Sequence, residues 1–261
     1  MNQKSQKLSV KLITVLGIVI STLFLALSVV SNIVIKKEST IDAEQNVNII
    51  ATSYAEKISA VIDSCFSALD FYTQSDAVIF SKSSNQIGSW LSTTPDRRNS
   101  YFNYVLFIDA NGNSFYDDGR TGFHGDRAYY KQIMQGQDKV VTNPTIAKAT
   151  GLVSAMIVKA AYNQNNEKIG MFVGVKNVKE IQDLVNSLKY GENGYAILVD
   201  GIGTVVASPD PKTQMELNLL TSNIPSLAEM KTIAQKMTSG KTGLEYINGM
   251  TGIGQELVVY T

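Results

Sequence analysis

Tyr104-Val105-Leu106-Phe107-Ile108-Asp109-Ala110-Asn111-Gly112 is the stretch on which the fold turns. Its apolar run reads as a strand, and Asn-Gly suits the positive φ of a tight hairpin, so Asn113 to Tyr116 should start a return strand. The plan recurs at Tyr195-Ala196-Ile197-Leu198-Val199-Asp200, followed by Gly201-Ile202-Gly203 and a strand over Thr204 to Ala207. Each copy has a Tyr, four mostly apolar residues, an Asp, a Gly-containing turn and a second strand. This weak internal repeat suggests two modules built alike.

The flanking segments fit an α+β chain. Ala128 to Gln135 reads as a short helix. Leu152 to Tyr162 and Lys168 to Val175 read as strands joined by the polar turn Asn163-Gln164-Asn165-Asn166. Val178, Ile181, Leu184, Val185 and Leu188 recur at helical spacing. Pro225 to Met237 reads as a further helix, with closing strands over Leu244 to Asn248 and Glu256 to Tyr260.

Upstream, no Gly or Pro lies between Gly17 and Gly88. Val47, Ile50, Tyr54, Ile58, Val61, Cys65, Leu69 and Tyr72 step by three and four, which is one face of a long helix ending before Gly88 or Pro95. Before it, Leu12 to Ile35 carry no charged side chain and are closed by Lys11, Lys36 and Lys37. A helical run of roughly 24 residues spans about 36 Å, enough for a hydrocarbon core of about 30 Å. The run is too long for a signal-peptide core, and Ser31-Asn32-Ile33-Val34-Ile35 makes a poor cleavage site, so an uncleaved anchor is expected. Lys4, Lys7 and Lys11 before the run favour a cytoplasmic start and an extracytoplasmic remainder.

Composition excludes several functions. The formal charge is zero, with no basic cluster to hold nucleic acid. A single cysteine, Cys65, precludes an internal disulfide framework, and its place on the apolar stripe marks it as core. One histidine, His124, and one cysteine make a His/Cys metal site unexpected. There is no Gly-x-Ser-x-Gly elbow and no His-Glu-x-x-His, so an enzyme is not expected, nor any cofactor.

Asp126-Arg127-Ala128-Tyr129-Tyr130, Val141-Thr142-Asn143-Pro144 with Lys148-Ala149-Thr150-Gly151, Gly170 to Val175 and Gly194 to Asp200 follow one another in an order that resembles the double Cache sensor region of bacterial methyl-accepting chemotaxis proteins and related receptors. The resemblance covers the chain from about residue 36 to its end. It implies two PAS-like modules with antiparallel sheets behind a long helix. The expected organisation is a tail over 1–11, a transmembrane helix over 12–35, a long amphipathic helix over 36–86, a membrane-distal ligand-binding module over 87–190 and a truncated proximal relay module over 191–261. An output segment is expected beyond Thr261.

In the amino-acid-binding branch of that family an Arg-x-Trp-Tyr stretch grips the ligand carboxylate. The matching positions are Arg127, Tyr129 and Tyr130, with Tyr116 as a further candidate contact. The chemistry stands by itself: a guanidinium offers a carboxylate a planar fork of donors, and tyrosines add apolar walls with hydroxyls. Where the branch has a Tyr and an ammonium-holding Asp, this chain has Thr145 and Val175, which weakens the amino-acid reading. Asp117, Asp118 and Asp126 are the nearby acids, and a structural ion pair of Arg127 with Asp117 or Asp126 is the competing account. Phe107 is assigned to the core, His124 to an exposed loop, Asp117-Asp118-Gly119 to a solvated turn, and Gly201-Ile202-Gly203 to a hairpin.

The expected function is extracytoplasmic sensing of an amino acid or small carboxylate by a transmembrane chemoreceptor in the cell membrane. The alternatives are the sensor region of a histidine kinase or diguanylate cyclase, or a membrane-anchored structural protein. The expected partners are the ligand, the bilayer and a second copy of the chain through the long helix.

Overall fold

The computed structural model describes residues 3–93, 100–146, 151–248 and 254–261, with side chains from residue 22 onward. The chain divides into two units, Met1–Ile50 and Ala51–Thr261. Helix α1 (Gln3–Thr73) supplies the first unit and enters the second. In the first unit Leu23, Phe24, Leu27, Val30, Ile33 and Ile35 are all more than half exposed. Among the described residues no helix is long and apolar enough to cross a membrane. The side chains of residues 12–21, part of the expected span, lie outside the described residues, as do those of Lys4, Lys7 and Lys11.

The long helix stops at Thr73, earlier than the expected residue 86. Two serines restart the chain as separate short helices, α2 (Asp76–Ile79) and α3 (Ser84–Ser92). The Ser75 hydroxyl accepts from the Ala77 N–H at 3.3 Å, and the Ser83 hydroxyl accepts from the Gln86 N–H at 3.4 Å. Gln86 reaches back so that its Oε1 accepts from the Lys82 N–H at 2.8 Å, a close relative of the capping box. Absence of Gly and Pro therefore did not mean one helix, because N-caps break a helix as well.

The main sheet is seven-stranded and antiparallel. Its strands are β1 (Tyr104–Asp109), β2 (Asn113–Tyr116), β3 (Thr121–Phe123), β4 (Lys139–Val141), β5 (Thr145–Ile146), β6 (Val153–Tyr162) and β7 (Lys168–Asn177). The order is β3-β2-β1-β7-β6-β4, with β5 also paired to β6. β1 and β7 are central and buried on both faces, which is why they read as continuous apolar runs. One face presents Val105, Phe107, Ile157 and Phe172 to Cys65, Leu69 and Tyr72 of α1, so Phe107 and Cys65 are core as expected. The other face presents Leu106, Ile108, Val158, Met171, Val173 and Val175 beneath Tyr129 and Ile133 of α4 (Ala128–Met134).

Helix α5 (Lys179–Ser187) leads from β7 into the remaining chain. There, β8 (Lys189–Tyr190) pairs β9 (Gly194–Tyr195), β10 (Leu198–Val199) pairs β11 (Val205–Ala207), and β12 (Gly243–Asn248) pairs β13 (Gln255–Tyr260). The strand expected from Tyr195 to Asp200 is thus two short pieces. A 3-10 turn (Pro225–Leu227) opens α6 (Ala228–Thr238), whose Met230, Ile233 and Ala234 build a second core with Val205, Leu219 and Tyr260.

The repeat has a structural counterpart in its turns. Asp109 Oδ1 accepts from the Asn111 and Asn113 N–H groups, both at 2.9 Å, and the Asp109 carbonyl accepts from the Gly112 N–H at 3.0 Å. Asp200 Oδ1 accepts likewise from Ile202 and Thr204 at 3.0 and 2.8 Å, and its carbonyl from Gly203 at 3.0 Å. Gly112 and Gly203 have φ of +88° and +87°. Asn111 is not in the positive region, so the hairpin is a turn with a left-handed glycine behind it rather than a two-residue Asn-Gly turn.

Candidate functional site

The face under α4 is set by register. Tyr104 lies opposite Val175, and Val175 opposite Met156. Met156 is tied to Thr142 in both directions, N–H to Oγ1 and carbonyl to N–H, each at 3.0 Å. A parallel row runs Tyr116, Leu106, Val173, Val158 and Val140. Alternation along the strands puts both rows on one face, so an apolar floor of Val173, Val175 and Met156 is walled by the Tyr104 and Tyr116 rings, 5.9 Å apart.

Helix α4 is fastened at both ends. The Tyr130 hydroxyl donates to the Ala110 carbonyl at 2.6 Å. At the other end the Lys168 ammonium donates to the Ile133 and Gln137 carbonyls at 2.8 and 2.9 Å, satisfying acceptors that a helix terminus leaves open. Arg127 is the residue that precedes the helix, in extended conformation. Its side chain is 58% exposed, and its Nε lies 3.6 Å from Asp126 Oδ1. Tyr129 is buried, and burial holds its hydroxyl protonated well above the usual tyrosine range. Neither it nor the half-buried Tyr104 hydroxyl, which burial also keeps protonated, gains a hydrogen-bond partner among the described residues.

The structure therefore brings Tyr116, Tyr129, Tyr130 and Val175 into one cluster, and starts α4 with Arg127 beside it. Tyr130 spends its hydroxyl on the fold. Thr145 is exposed on β5 opposite Ser154, two residues from Met156 along β6 and so one row beyond the Tyr104–Val175–Met156 row. Lys148, Ala149 and Thr150 of the adjoining stretch lie outside the described residues.

Two neighbours differ from their sequence reading. His124 is half-buried: its Nδ1 is 3.0 Å from the Ser114 hydroxyl and its Nε2 is 3.4 Å from the Tyr116 hydroxyl. Burial, then the Arg127 charge, lower its pKa. Asp117 is buried and not part of a solvated turn; its Oδ2 accepts from the Val105 N–H at 3.0 Å. Asp118 stays exposed and pairs with Arg120 at 2.7 Å, while the Arg120 guanidinium covers the Tyr116 ring at 4.7 Å. Tyr104, Met156, Thr142 and His124 adjoin this cluster but were not among the sequence candidates, although alternation from Leu106 would have placed Tyr104 on the tyrosine face.

Two open surface clefts lie elsewhere. One, of about 490 Å³, is lined by Ser83, Asp109, Ser114 and Thr121. The other, of about 590 Å³, is lined by Asp70, Lys139, Lys159 and Tyr162. Neither contains the Tyr104–Val175–Met156 row.

Residues 35–259 match the dCache_1 family, described as a Cache domain. The chain belongs to the Cache domain family. Among curated proteins, this Cache chain is 25% identical over 115 residues to the methyl-accepting chemotaxis protein PscA of Pseudomonas syringae pv. tomato, covering 44% of this chain and 18% of that protein. The chain thus spans under a fifth of that relative's length. Among solved structures it resembles the ligand-binding domain of the Pseudomonas aeruginosa amino-acid chemoreceptor PctC in complex with GABA, with a TM-score of 0.64 at 19% identity over 84% of this chain and 92% of that one. It also resembles the extracellular domain of mmHK1S-Z2, described as a histidine kinase, with a TM-score of 0.65 at 14% identity over 83% and 91% of the two chains. At these identities the likeness is one of fold: α+β, with a long N-terminal helix and an antiparallel sheet.

Proposed function

We propose that the chain is the extracytoplasmic sensing region of a membrane-anchored chemoreceptor, binding an amino acid or small carboxylate over the Tyr104–Val175–Met156 row with Arg127 as the carboxylate partner. The observation that carries this reading is the Tyr129 hydroxyl. Its ring is buried beside an exposed arginine, and the hydroxyl takes no partner from the described residues yet is not sealed from solvent, so an incoming ligand can reach it. A ligand oxygen supplies the partner. Membership of the Cache domain family and likeness to receptors that sense small molecules support the same reading.

In this reading residues 12–35 anchor the chain in the cell membrane, residues 87–190 capture the ligand, residues 191–261 relay, and α1 pairs two copies of the chain. Capture favours one of two conformations, and the difference in ligand affinity between them is the signal. Tyr116 and Tyr130 frame the site, Val175 forms its floor, and Thr145 stands at its edge. The role is binding, not catalysis. A second reading, the sensor region of a histidine kinase, draws on the likeness to mmHK1S-Z2 and shares the same site logic. A diguanylate cyclase would use it equally.

The test is ligand-induced stabilisation. At a hundredfold excess over its dissociation constant a true ligand adds about 2.7 kcal/mol of stability. Arg127→Ala should weaken a carboxylate ligand by roughly 10- to 100-fold, the worth of a charge-assisted contact. Its thermal midpoint without ligand should stay close to the parent's, because an exposed ion pair such as Arg127–Asp126 is worth only about 0–1 kcal/mol. A variant that unfolds would instead assign Arg127 to the fold.

A further inference from the structure

His124 is the chain's one histidine, and each of its ring nitrogens faces a hydroxyl: Nδ1 lies 3.0 Å from Ser114 and Nε2 3.4 Å from Tyr116. The three side chains meet over Gly122, the residue opposite Ser114 in the β2–β3 pair. A Cβ at Gly122 would stand 3.0 Å from Ser114 Oγ, 3.8 Å from the Tyr116 ring and 3.9 Å from the His124 ring, so a bare glycine is what lets them close on one another. The backbone ties the same corner to the next helix. The His124 N–H donates to the Gly112 carbonyl at 2.8 Å, and the His124 carbonyl accepts at 3.1 Å from the N–H of Arg127, the residue that precedes α4.

Burial assigns the hydrogens. A neutral imidazole offers one donor and one acceptor. Ser114 is completely buried and has no other partner among the described residues, so its O–H donates to Nδ1. Tyr116, only half-buried, accepts from the Nε2–H and can turn its own hydrogen to solvent. Protonation makes both nitrogens donors, and the Ser114 hydrogen is then left without an acceptor in the interior. The added charge also falls beside Arg127, with only the exposed Asp126 opposing it. Arg120 lies over the Tyr116 ring at 4.7 Å, already paired with Asp118. Tyr104 and Tyr129, the titratable neighbours of Tyr116, are held protonated and bring no negative charge.

We infer that His124 is a proton-operated latch, through which this sensing region responds to acid in its surroundings as well as to a ligand. Neutral, the ring holds Ser114 and Tyr116 of β2 to the segment that delivers Arg127. Charged, it gives up Ser114, swings toward solvent and loosens that segment from β2. The latch is shut above pH 6.5 and opens as pH falls below that value, because burial and then the Arg127 charge disfavour the charged ring. It needs no bound molecule, so it stands or falls independently of the ligand.

A single histidine can be read directly. Nuclear magnetic resonance on the full chain in detergent, with isotope-labelled histidine and tyrosine, follows the His124 nitrogens and the Tyr116 ring through an acid titration, the Tyr116 signal being assigned with Tyr116→Phe. The neutral ring should carry its hydrogen on Nε2, and its midpoint should lie below pH 6.5. The Tyr116 signal should move with that same midpoint and stay fixed in His124→Gln. Hydrogen exchange at the His124 and Arg127 amides, corrected for its intrinsic pH dependence, should quicken through the midpoint. Ser114→Ala removes the stranded hydrogen, so it should raise the midpoint by about half a unit to one unit, the worth of one hydrogen bond. A hydrogen found on Nδ1, a Tyr116 signal that moves with another midpoint or still moves in His124→Gln, amide protection that holds throughout, or a Ser114→Ala midpoint that stays or falls would each overturn the latch.

Discussion

His124 shows how one side chain changes meaning once its neighbours are placed. Its sequence neighbours are glycines and loop residues, so it reads as exposed, yet Ser114 and Tyr116 reach it from the strand across the hairpin. Burial, the nearby Arg127 charge and only a weaker opposing pull from Asp126 lower its pKa from the ordinary 6.5, so the unfolded chain binds the proton more readily than the folded one. The sign follows: the neutral ring's contribution is complete above pH 6.5 and is lost as pH falls below that value toward the lowered pKa. His124→Gln should therefore flatten the fall of the thermal midpoint on acidification below pH 6.5, measured against the parent in parallel buffers. An unchanged slope would place the proton uptake on other groups. The place of Arg127 at the start of α4 was legible in sequence because it follows from a local motif. Asp117 and His124 were not, because their partners are fixed by strand register rather than by neighbours in the chain.

At the scale of elements, hairpins were the most legible parts and helix ends the least. Asp109 and Asp200 each fold a turn with their own carboxylate, and Asn163 does the same with its amide oxygen, accepting from Asn165 and Glu167 at 3.0 Å each. The third copy closes with Asn166 at φ 60°, where the other two use glycine. Such turns are written in a few adjacent residues, so sequence displays them. The end of α1 depends on Ser75 and Ser83 outcompeting helix continuation, and Ser83 with Gln86 three residues on was the available signal. Strands β3, β4 and β5 are two or three residues long and carry too little periodicity to be read in advance. Gly112 makes the turn argument quantitative. Its φ of +88° disfavours any side chain, and an added Cβ would lie 2.6 Å from the Gly125 Cα. Gly112→Ala should cost about 1–3 kcal/mol in chemical denaturation. Gly125 belongs to the segment that delivers Arg127, so the variant should also weaken ligand binding; loss of stability with intact binding would mean that the hairpin and the site are independent.

Over the whole molecule, the two ends of α1 meet different demands. From Cys65 to Tyr72 its apolar side chains are packed against the sheet. Between Leu23 and Ile35 side chains of the same character stand about half or more exposed, nine of them from Leu23 to Ile35. An apolar surface of that kind on a water-soluble chain marks a site for lipid or protein. The arrangement is all round the helix rather than along one stripe: Leu23, Phe24 and Leu25 are consecutive, as are Ile33, Val34 and Ile35. A helix apolar on every side favours a lipid surrounding over a single partner groove. The full chain should therefore float with phospholipid vesicles at high salt, which screens purely electrostatic adsorption. A chain beginning at Lys36 should stay in the soluble fraction and keep the ligand-induced thermal shift, because the sheet, α4 and Arg127 all lie within Ala51–Thr261. Full chain left at the bottom of the gradient would remove the membrane anchor from the account. A shortened chain that floats would move the anchor elsewhere, and one that binds no ligand would tie capture to the first unit of the helix.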